Sequence, residues 1–184
     1  MRASKLGREK IKGSPIKWRA YFHEIEIFWA RAVARPSKAG PMTRTSAPSR
    51  GDFKHFLKIP TRWADVDVYG HVNNIVYYSY FDTAVSEHLV SVGGLHAMES
   101  PVIGVVVETK CEFRKEINFP ATIDAGIRVF RLGTSSASYN IGLFIEGEET
   151  PAAFGHFVHV YINRESRRPE SIPDRIRSAL NTLV

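Results

Sequence analysis

One apolar stretch in the middle of the chain is the strongest constraint on the fold. Between residues 74 and 90, large apolar side chains recur three and four residues apart, which is the spacing of an α-helix. Asn73 is a suitable N-terminal cap, and the pair Gly93 and Gly94 is a stop signal. Because apolar residues cover most of the predicted helix's circumference, the helix must be buried against other elements.

Five stretches have the apolar pattern of β-strands. The first precedes the helix at residues 53–59, and no second strong helix separates the four that follow it. These four are residues 102–114, 121–132, 136–146 and 152–163. Their linkers are short, as in antiparallel hairpins, and a short helix is predicted at residues 172–183. We therefore expect an α+β fold in which an antiparallel five-stranded sheet wraps around one long central helix.

The basic charge of the chain is confined to its first fifty residues. Residues 1–50 carry 12 Lys and Arg against 3 Asp and Glu, whereas residues 51–184 carry 13 against 16. Residues 36–51 are rich in Pro, Ser, Gly and Arg and are typical of a linker. We expect a basic extension or linker over residues 1–51, with Met42 as an alternative start, and one domain over residues 52–184. The positive charge of the first fifty residues is the one feature that suggests a nucleic-acid partner. Because charge by itself is weak evidence for such a partner, we expect none.

The sequence lacks the motifs of several common kinds of enzyme chemistry. The chain has no Gly-x-Ser-x-Gly elbow, no phosphate-binding loop and no dinucleotide fingerprint. Its single cysteine, Cys111, allows no internal disulfide and fits a reducing, cytoplasmic location. His156 and His159 fall on opposite faces of a predicted strand and cannot share a metal. We expect no metal and no cofactor, and no apolar run is long enough to span a membrane.

The most informative segment is residues 65–74, DVDVYGHVNN, at the start of the long helix. It combines two carboxylates, one imidazole and two amides, and Gly70 lets the backbone approach a ligand closely. The first N–H groups of a helix form an anion site, which suits an oxygen that gains negative charge in a transition state. A nearby carboxylate would be the base or the nucleophile. This pattern favours acyl transfer to water without a catalytic serine or a metal.

The segment TRWADVDVYGHVNNIVYYSYFDTA resembles the signature of hotdog-fold acyl-CoA thioesterases of the 4-hydroxybenzoyl-CoA thioesterase type. The ending GHFVHVYINRESRRPESIPDRIRSAL is similar to the family's last strand, polar turn and helix. The resemblance covers residues 53–184. The motif is closer to the branch with Gly-His-Val-Asn-Asn, whose substrates are often fatty or otherwise unassigned acyl-CoAs.

The resemblance also implies roles for single residues. Asp67 is expected to attack the thioester carbonyl or to activate water for that attack. Backbone amides at the helix start, Asn74 and Val72, are expected to polarise the carbonyl. The residues expected to support the loop or to line the pocket are Asp65, Gly70, His71, Asn73 and Tyr77. An acyl-CoA substrate and a homodimer or homotetramer, with sites at the interface, are implied as well.

Two alternatives remain open. The first is a hotdog-fold hydratase or dehydratase, whose motif has a histidine five residues after an aspartate. In this sequence His71 lies four residues after Asp67 and six residues after Asp65. The other alternative is a non-catalytic acyl-CoA-binding protein. Glu87, on the predicted helix, is the next carboxylate to consider if Asp67 is not catalytic.

Overall fold

A computed structural model of the chain describes residues 48–96 and 98–184. The predicted basic extension over residues 1–51 lies almost wholly outside the described residues, and its role stays a prediction. No helix of the described part of the chain is long and apolar enough to cross a membrane.

The described residues form one sheet, one long helix and one short helix. In chain order the elements are β1 His55–Pro60, α1 Asn74–Ser91, β2 Val102–Phe113, β3 Thr122–Leu132, β4 Ser136–Ile145, β5 Ala153–Asn163 and α2 Asp174–Asn181. The strands pair antiparallel in the order β1-β3-β4-β5-β2. The predicted α+β architecture, with a five-stranded antiparallel sheet around one long helix, is confirmed.

The helix α1 packs on one face of the sheet, which is called the inner face below. Phe81, at the middle of α1, is fully buried over Gly155 of β5. A Cβ atom on Gly155 would lie only 2.6 Å from carbons of the Phe81 ring. Since this is closer than real Cβ contacts allow, glycine at this position lets α1 approach the sheet. The buried apolar residues of β3 and β4 complete the core around it.

The opposite, outer face of the sheet is covered by a short segment just before β1. Gly126 and Gly142 stand opposite each other on β3 and β4. The Phe53 ring lies over both, so that a Cβ on Gly142 would lie 2.7 Å from it. The Arg50 guanidinium stacks 4.7 Å from the centroid of the Phe56 ring and pairs with the buried carboxylate of Asp124. Aromatic packing and an ion pair therefore fasten residues 50–53 to the sheet.

This packing predicts a large loss of stability on truncating Phe53. The side chain is 6% exposed, and its ring lies over two glycines in edge contact with the Phe56 and Phe144 rings. Phe53→Ala should lower the free energy of unfolding by about 3 kcal/mol. Chemical denaturation measures this change. Phe130→Ala is the matched control, because Phe130 lies on β3 but is 52% exposed, and its loss should be much smaller. Equal losses in the two variants would contradict the assignment.

Candidate active site

A tight loop connects β1 to α1 and carries the predicted site residues. Val66 and Val72 form an isolated antiparallel bridge at its base. The Asp67 amide donates to the His71 carbonyl oxygen at 3.0 Å, and the Gly70 amide donates to the Asp67 carbonyl oxygen at 3.1 Å. Gly70 has a φ of 87°, a conformation that favours glycine. Glycine is therefore favoured at position 70 because the turn requires a positive φ.

The buried carboxylate of Asp65 anchors this loop. It accepts hydrogen bonds from the Arg62 backbone amide at 2.8 Å, the Arg62 guanidinium at 2.7 Å and the Tyr80 hydroxyl at 2.8 Å. Its backbone carbonyl accepts from the Asn73 amide at 2.8 Å. Burial acts to raise the pKa of Asp65, but the hydrogen bonds from Arg62 and Tyr80 outweigh it and hold that pKa below its ordinary value. Asp65 thus links the loop to the second turn of α1.

An open cleft of about 410 Å³ lies beside the loop at the start of α1. The lining residues are Asp67, His71, Val72, Asn74, Tyr77, Phe113, Arg114, Lys115 and Glu116. Five of these were predicted site residues. Asp65, Gly70 and Asn73 do not line the cleft, and they hold the loop and the helix start instead.

Asp67 and the backbone amide of Asn74 both have hydrogen-bonding capacity that no described residue uses. One Asp67 carboxylate oxygen, Oδ1, accepts from the Tyr69 amide at 2.8 Å, and Oδ2 accepts from no described residue. The Asn73 side chain caps the Ile75 amide, and the Asn73 carbonyl accepts from the Val76 amide. The Asn74 amide donates to none of the described residues. A carboxylate oxygen and a backbone donor are therefore available at the same opening.

The expectation for Val72 does not fit this geometry. The Val72 amide donates to the Ile117 carbonyl oxygen at 2.7 Å, and the residue is 4% exposed. A backbone donor held in such a bond cannot also bind a substrate oxygen without breaking it. Val72 therefore contributes its side chain to the cleft wall, and Asn74 remains the backbone donor at the helix start.

The floor of the cleft is aromatic. The rings of Tyr77 and Phe113 meet edge to face with centroids 5.0 Å apart. Tyr77 is 3% exposed, and this burial raises the pKa of its hydroxyl above the ordinary value. Phe113 is 51% exposed, so its ring offers apolar surface to a ligand. The exposed Phe113 ring, supported by the buried Tyr77 ring, therefore gives the cleft floor an apolar surface.

Charged groups from the segment after β2 form the rim. The His71 Nε2 atom lies 3.4 Å from the Glu116 Oε2 atom. Arg114 pairs with Glu112 at 3.2 Å, and Lys115 pairs with Glu148. Sequence patterns do not predict the four cleft residues that follow α1, namely residues 113–116. They lie about forty positions from the Asp67 motif, and only the pairing of β2 within the sheet brings them to it.

Other candidate groups lie elsewhere. Among the described residues, no group of three or more His, Cys, Asp and Glu side chains is arranged to hold a metal ion. Burial raises the pKa of the Cys111 thiol to about 12, which makes it a poor nucleophile. Glu87 lies on α1 outside the cleft, with its Oε2 atom 3.5 Å from the His55 Nε2 atom.

Comparison with known proteins places the chain in a family. The sequence profile of the thioesterase-like superfamily matches residues 61–180, more than half of the chain. The chain belongs to the thioesterase-like superfamily. Its α+β fold is the hotdog fold of the superfamily's solved structures.

Several solved structures resemble this superfamily member. The PA5185 protein of Pseudomonas aeruginosa is 47% identical, with a TM-score of 0.73, over 75% of this chain and 96% of that one. The PA2801 protein of the same species, a suggested thioesterase, is 30% identical, with a TM-score of 0.65, over 70% of this chain and 98% of that one. The gentisyl-coenzyme A thioesterase BH1999 shares the fold at 21% identity, with a TM-score of 0.60, over 68% of this chain and 99% of that one.

The anchoring role of Asp65 predicts a thermodynamic effect with a defined pH dependence. Because its folded pKa lies below the unfolded one, the carboxylate stabilises the fold above the unfolded pKa. That stabilisation is lost as the pH falls through the folded pKa. Near neutral pH, Asp65→Asn should lower the free energy of unfolding by roughly 1–2 kcal/mol. The difference from wild type should shrink well below about pH 3.9, the pKa of a free aspartate.

Urea denaturation at neutral and acid pH measures both parts of this prediction. Asp82→Asn is the matched control, because Asp82 is exposed on α1 and its charge should matter little. An Asp65→Asn protein as stable as the Asp82→Asn protein at neutral pH would show that the carboxylate is not an anchor.

Proposed function

We propose that this protein is an acyl-CoA thioesterase that hydrolyses its substrate to a free acid and CoA, with Asp67 as base or nucleophile. The observation that carries the proposal is the presence of an available Asp67 oxygen and an available Asn74 amide in one cleft. Membership of the thioesterase-like superfamily supports thioester hydrolysis as the reaction class.

In this mechanism the thioester carbonyl oxygen binds the Asn74 amide at the positive end of α1. The amide and the helix dipole stabilise the negative charge that develops on that oxygen. In one route Asp67 attacks the carbonyl carbon, the C–S bond breaks to release the CoA thiolate, and water hydrolyses the resulting anhydride. In the other route Asp67 removes a proton from water as the water oxygen attacks the carbonyl carbon; the C–S bond then breaks, and the CoA thiolate takes up the proton. Both routes yield the acid and the thiol.

The rest of the cleft is suited to the two ends of such a substrate. An acyl chain or ring would lie against Tyr77 and Phe113. The cationic side chains of Arg114 and Lys115 at the rim suit the phosphates of CoA. The sequence Gly-His-Val-Asn-Asn at residues 70–74 resembles the fatty or unassigned acyl-CoA branch of the 4-hydroxybenzoyl-CoA thioesterase type and supports a substrate of that kind. A screen of acyl-CoAs by chain length and ring content would identify the acyl group.

A free-thiol assay, together with a hydration assay on an unsaturated acyl-CoA, separates a thioesterase from a binding protein and from a hydratase. Acyl-CoA is incubated with the protein, and a free-thiol reagent reports release of CoA. Thiol release at a rate proportional to protein concentration supports hydrolysis. Binding without thiol release indicates a non-catalytic module. Addition of water to an unsaturated acyl-CoA, with the thioester intact, indicates a hydratase.

The proposal predicts a kinetic effect at Asp67. Asp67→Asn keeps the size of the side chain and its bond to the Tyr69 amide but removes the charge and the basicity. The turnover number should fall by a factor on the order of 10²–10⁴ if Asp67 acts as a base. Acyl-CoA binding should change much less, because the Asn74 amide and the aromatic floor remain. Steady-state kinetics and a binding titration measure the two effects.

Two variants control this experiment. Asp65→Asn, two residues away, should lose stability while keeping most of its turnover at a temperature where it is folded. Glu87→Gln should keep its turnover, because Glu87 lies outside the cleft. Near-wild-type turnover in Asp67→Asn would reject the mechanism, and a large loss in Glu87→Gln would transfer the role to that carboxylate.

We also propose that the protein forms a homodimer through the edge of its sheet at β2. The two edge strands differ in how well they resist further pairing. β1 is 6 residues long and carries Lys58 and Pro60, which discourage strand addition. β2 is 12 residues long, has no proline and begins with several β-branched residues. An unpaired edge of that length is commonly covered by another chain.

A further inference from the structure

An exposed pair of aromatic residues, Trp63 and Phe119, lies at one end of the sheet and does not line the cleft. The two rings meet edge to face, with centroids 5.9 Å apart and an angle of 83° between their planes. Trp63 is 79% exposed and Phe119 is 39% exposed. Tryptophan is largely buried in most proteins, so this open indole beside a second ring is a candidate binding surface. The pair is called the aromatic platform below.

The backbone beneath the aromatic platform is held in place. Trp63 begins a short 3-10 turn that ends at the buried residue Asp65. The Thr61 amide donates to the Ala121 carbonyl oxygen at 2.9 Å, and the Ala121 amide donates to the Thr61 hydroxyl oxygen at 2.9 Å. These bonds join the chain that leads to Trp63 to the segment that carries Phe119. A surface that is ordered in advance loses little conformational entropy when a ligand binds to it.

The segment that carries Phe119 also forms the rim of the cleft. Residues 114–121 connect β2 to β3, and these strands are three positions apart in the sheet. Because neighbouring strands are about 4.8 Å apart, the connection spans about 14 Å along one end of the sheet. Ile117, in its middle, is fully buried, and its carbonyl oxygen accepts from the Val72 amide at the cleft wall. One stretch of chain therefore leads from the cleft to the aromatic platform.

The charges along this stretch suit phosphate groups. Arg114 and Lys115 each pair with one carboxylate at the surface. Since an exposed ion pair contributes little free energy, a phosphate can compete for either cation. Glu116, the one acidic residue between positions 114 and 121, lies beside His71. From the cleft outward, the chain therefore offers an apolar floor, two cations and an aromatic surface.

We propose that the aromatic platform binds the adenine ring of CoA by stacking, an inference that rests on the proposed thioesterase function and specifies the thiol half of its substrate. Acyl-CoA has its parts in the same order as the protein surface: an acyl group, a pantetheine arm that ends in a pyrophosphate, and adenosine. Every base has a flat π-face that stacks on aromatic side chains. An acyl-carrier protein presents the same arm without adenosine, so the platform favours free acyl-CoA as the substrate.

The aromatic platform stays accessible in the proposed homodimer. Trp63 follows β1, and Phe119 precedes β3. These two strands lie at the end of the sheet order opposite to β2. A second copy that pairs with β2 therefore covers the other edge of the sheet and leaves the platform open to a nucleotide.

Kinetics on two thioesters of the same acid test this proposal. Acyl-CoA carries the adenine ring, whereas the corresponding acyl-pantetheine lacks it. Trp63→Ala should raise the KM for acyl-CoA by about 5-fold to 150-fold, the range for loss of one base stack, with little change in kcat. The KM for acyl-pantetheine should not change. Trp63→Phe keeps a ring and should have a smaller effect, and Phe130→Ala, which removes an exposed ring elsewhere on β3, should change neither KM.

Tryptophan fluorescence tests the same contact without hydrolysis. The protein is excited at the red edge of tryptophan absorption, where adenine does not absorb, and is titrated with CoA or with phosphopantetheine. CoA should quench part of the fluorescence by stacking on Trp63, whereas phosphopantetheine should not. The chain also contains Trp18 and Trp29. Loss of the quenching in Trp63→Phe would therefore assign it to Trp63.

The other outcomes separate this inference from the proposed function. If Trp63→Ala impairs both thioesters by the same factor, or if CoA does not quench the wild type, the platform is not an adenine site. An equal kcat/KM of the wild type for the two thioesters also rejects the adenine site and indicates a substrate recognised by its arm alone, while hydrolysis itself stands. Quenching by CoA that is lost in Trp63→Phe, without hydrolysis of either thioester, supports the adenine site and rejects the proposed reaction.

Discussion

The close contact between Phe81 and Gly155 is the packing constraint on which the site depends. Because no Cβ separates them, α1 lies directly against the middle of the sheet. This contact places the start of α1 at the same end of the sheet as the last residues of β2. The Tyr77 and Phe113 rings can therefore meet, and the loop before α1 can close the cleft above them. A bulkier residue at position 155 would displace the helix and separate the two halves of the cleft.

The two aspartates of the loop show how neighbouring positions acquire opposite environments. Asp65 is buried, its carboxylate accepts hydrogen bonds from Arg62 and Tyr80, and its backbone carbonyl accepts one from Asn73. Asp67 lies past the Val66 bridge, at the cleft, with one carboxylate oxygen held by a local turn. A saturated carboxylate stabilises, whereas a carboxylate with an unused oxygen can react. The local bridge at Val66, rather than the identity of the residues, separates these two environments.

Most of the fold follows from short-range patterns in the sequence. The spacing of apolar residues predicts α1, and the alternating stretches with short linkers predict all five strands of the antiparallel sheet. The roles around Asp67 were harder to predict, since they depend on contacts that are distant in sequence. The amide of Val72 is taken by Ile117, and residues 113–116 reach the cleft only through the pairing of β2 with β5. Val107 of β2 is an extra residue between Val106, which pairs with His159, and Glu108, which pairs with Val158, and this bulge leaves no signal in residue type because valine is common in regular strands.

The cap formed by Asn73 has a stereochemical consequence. Its side chain and its carbonyl oxygen occupy the Ile75 and Val76 amides, so that the first turn of α1 offers the cleft the Asn74 amide alone. In the proposed mechanism, this single donor holds the carbonyl oxygen while the acyl group lies against the Tyr77 and Phe113 rings, which would leave one prochiral face of the carbonyl carbon toward Asp67. A helix cap that touches no substrate atom would thereby select the face on which the tetrahedral adduct forms.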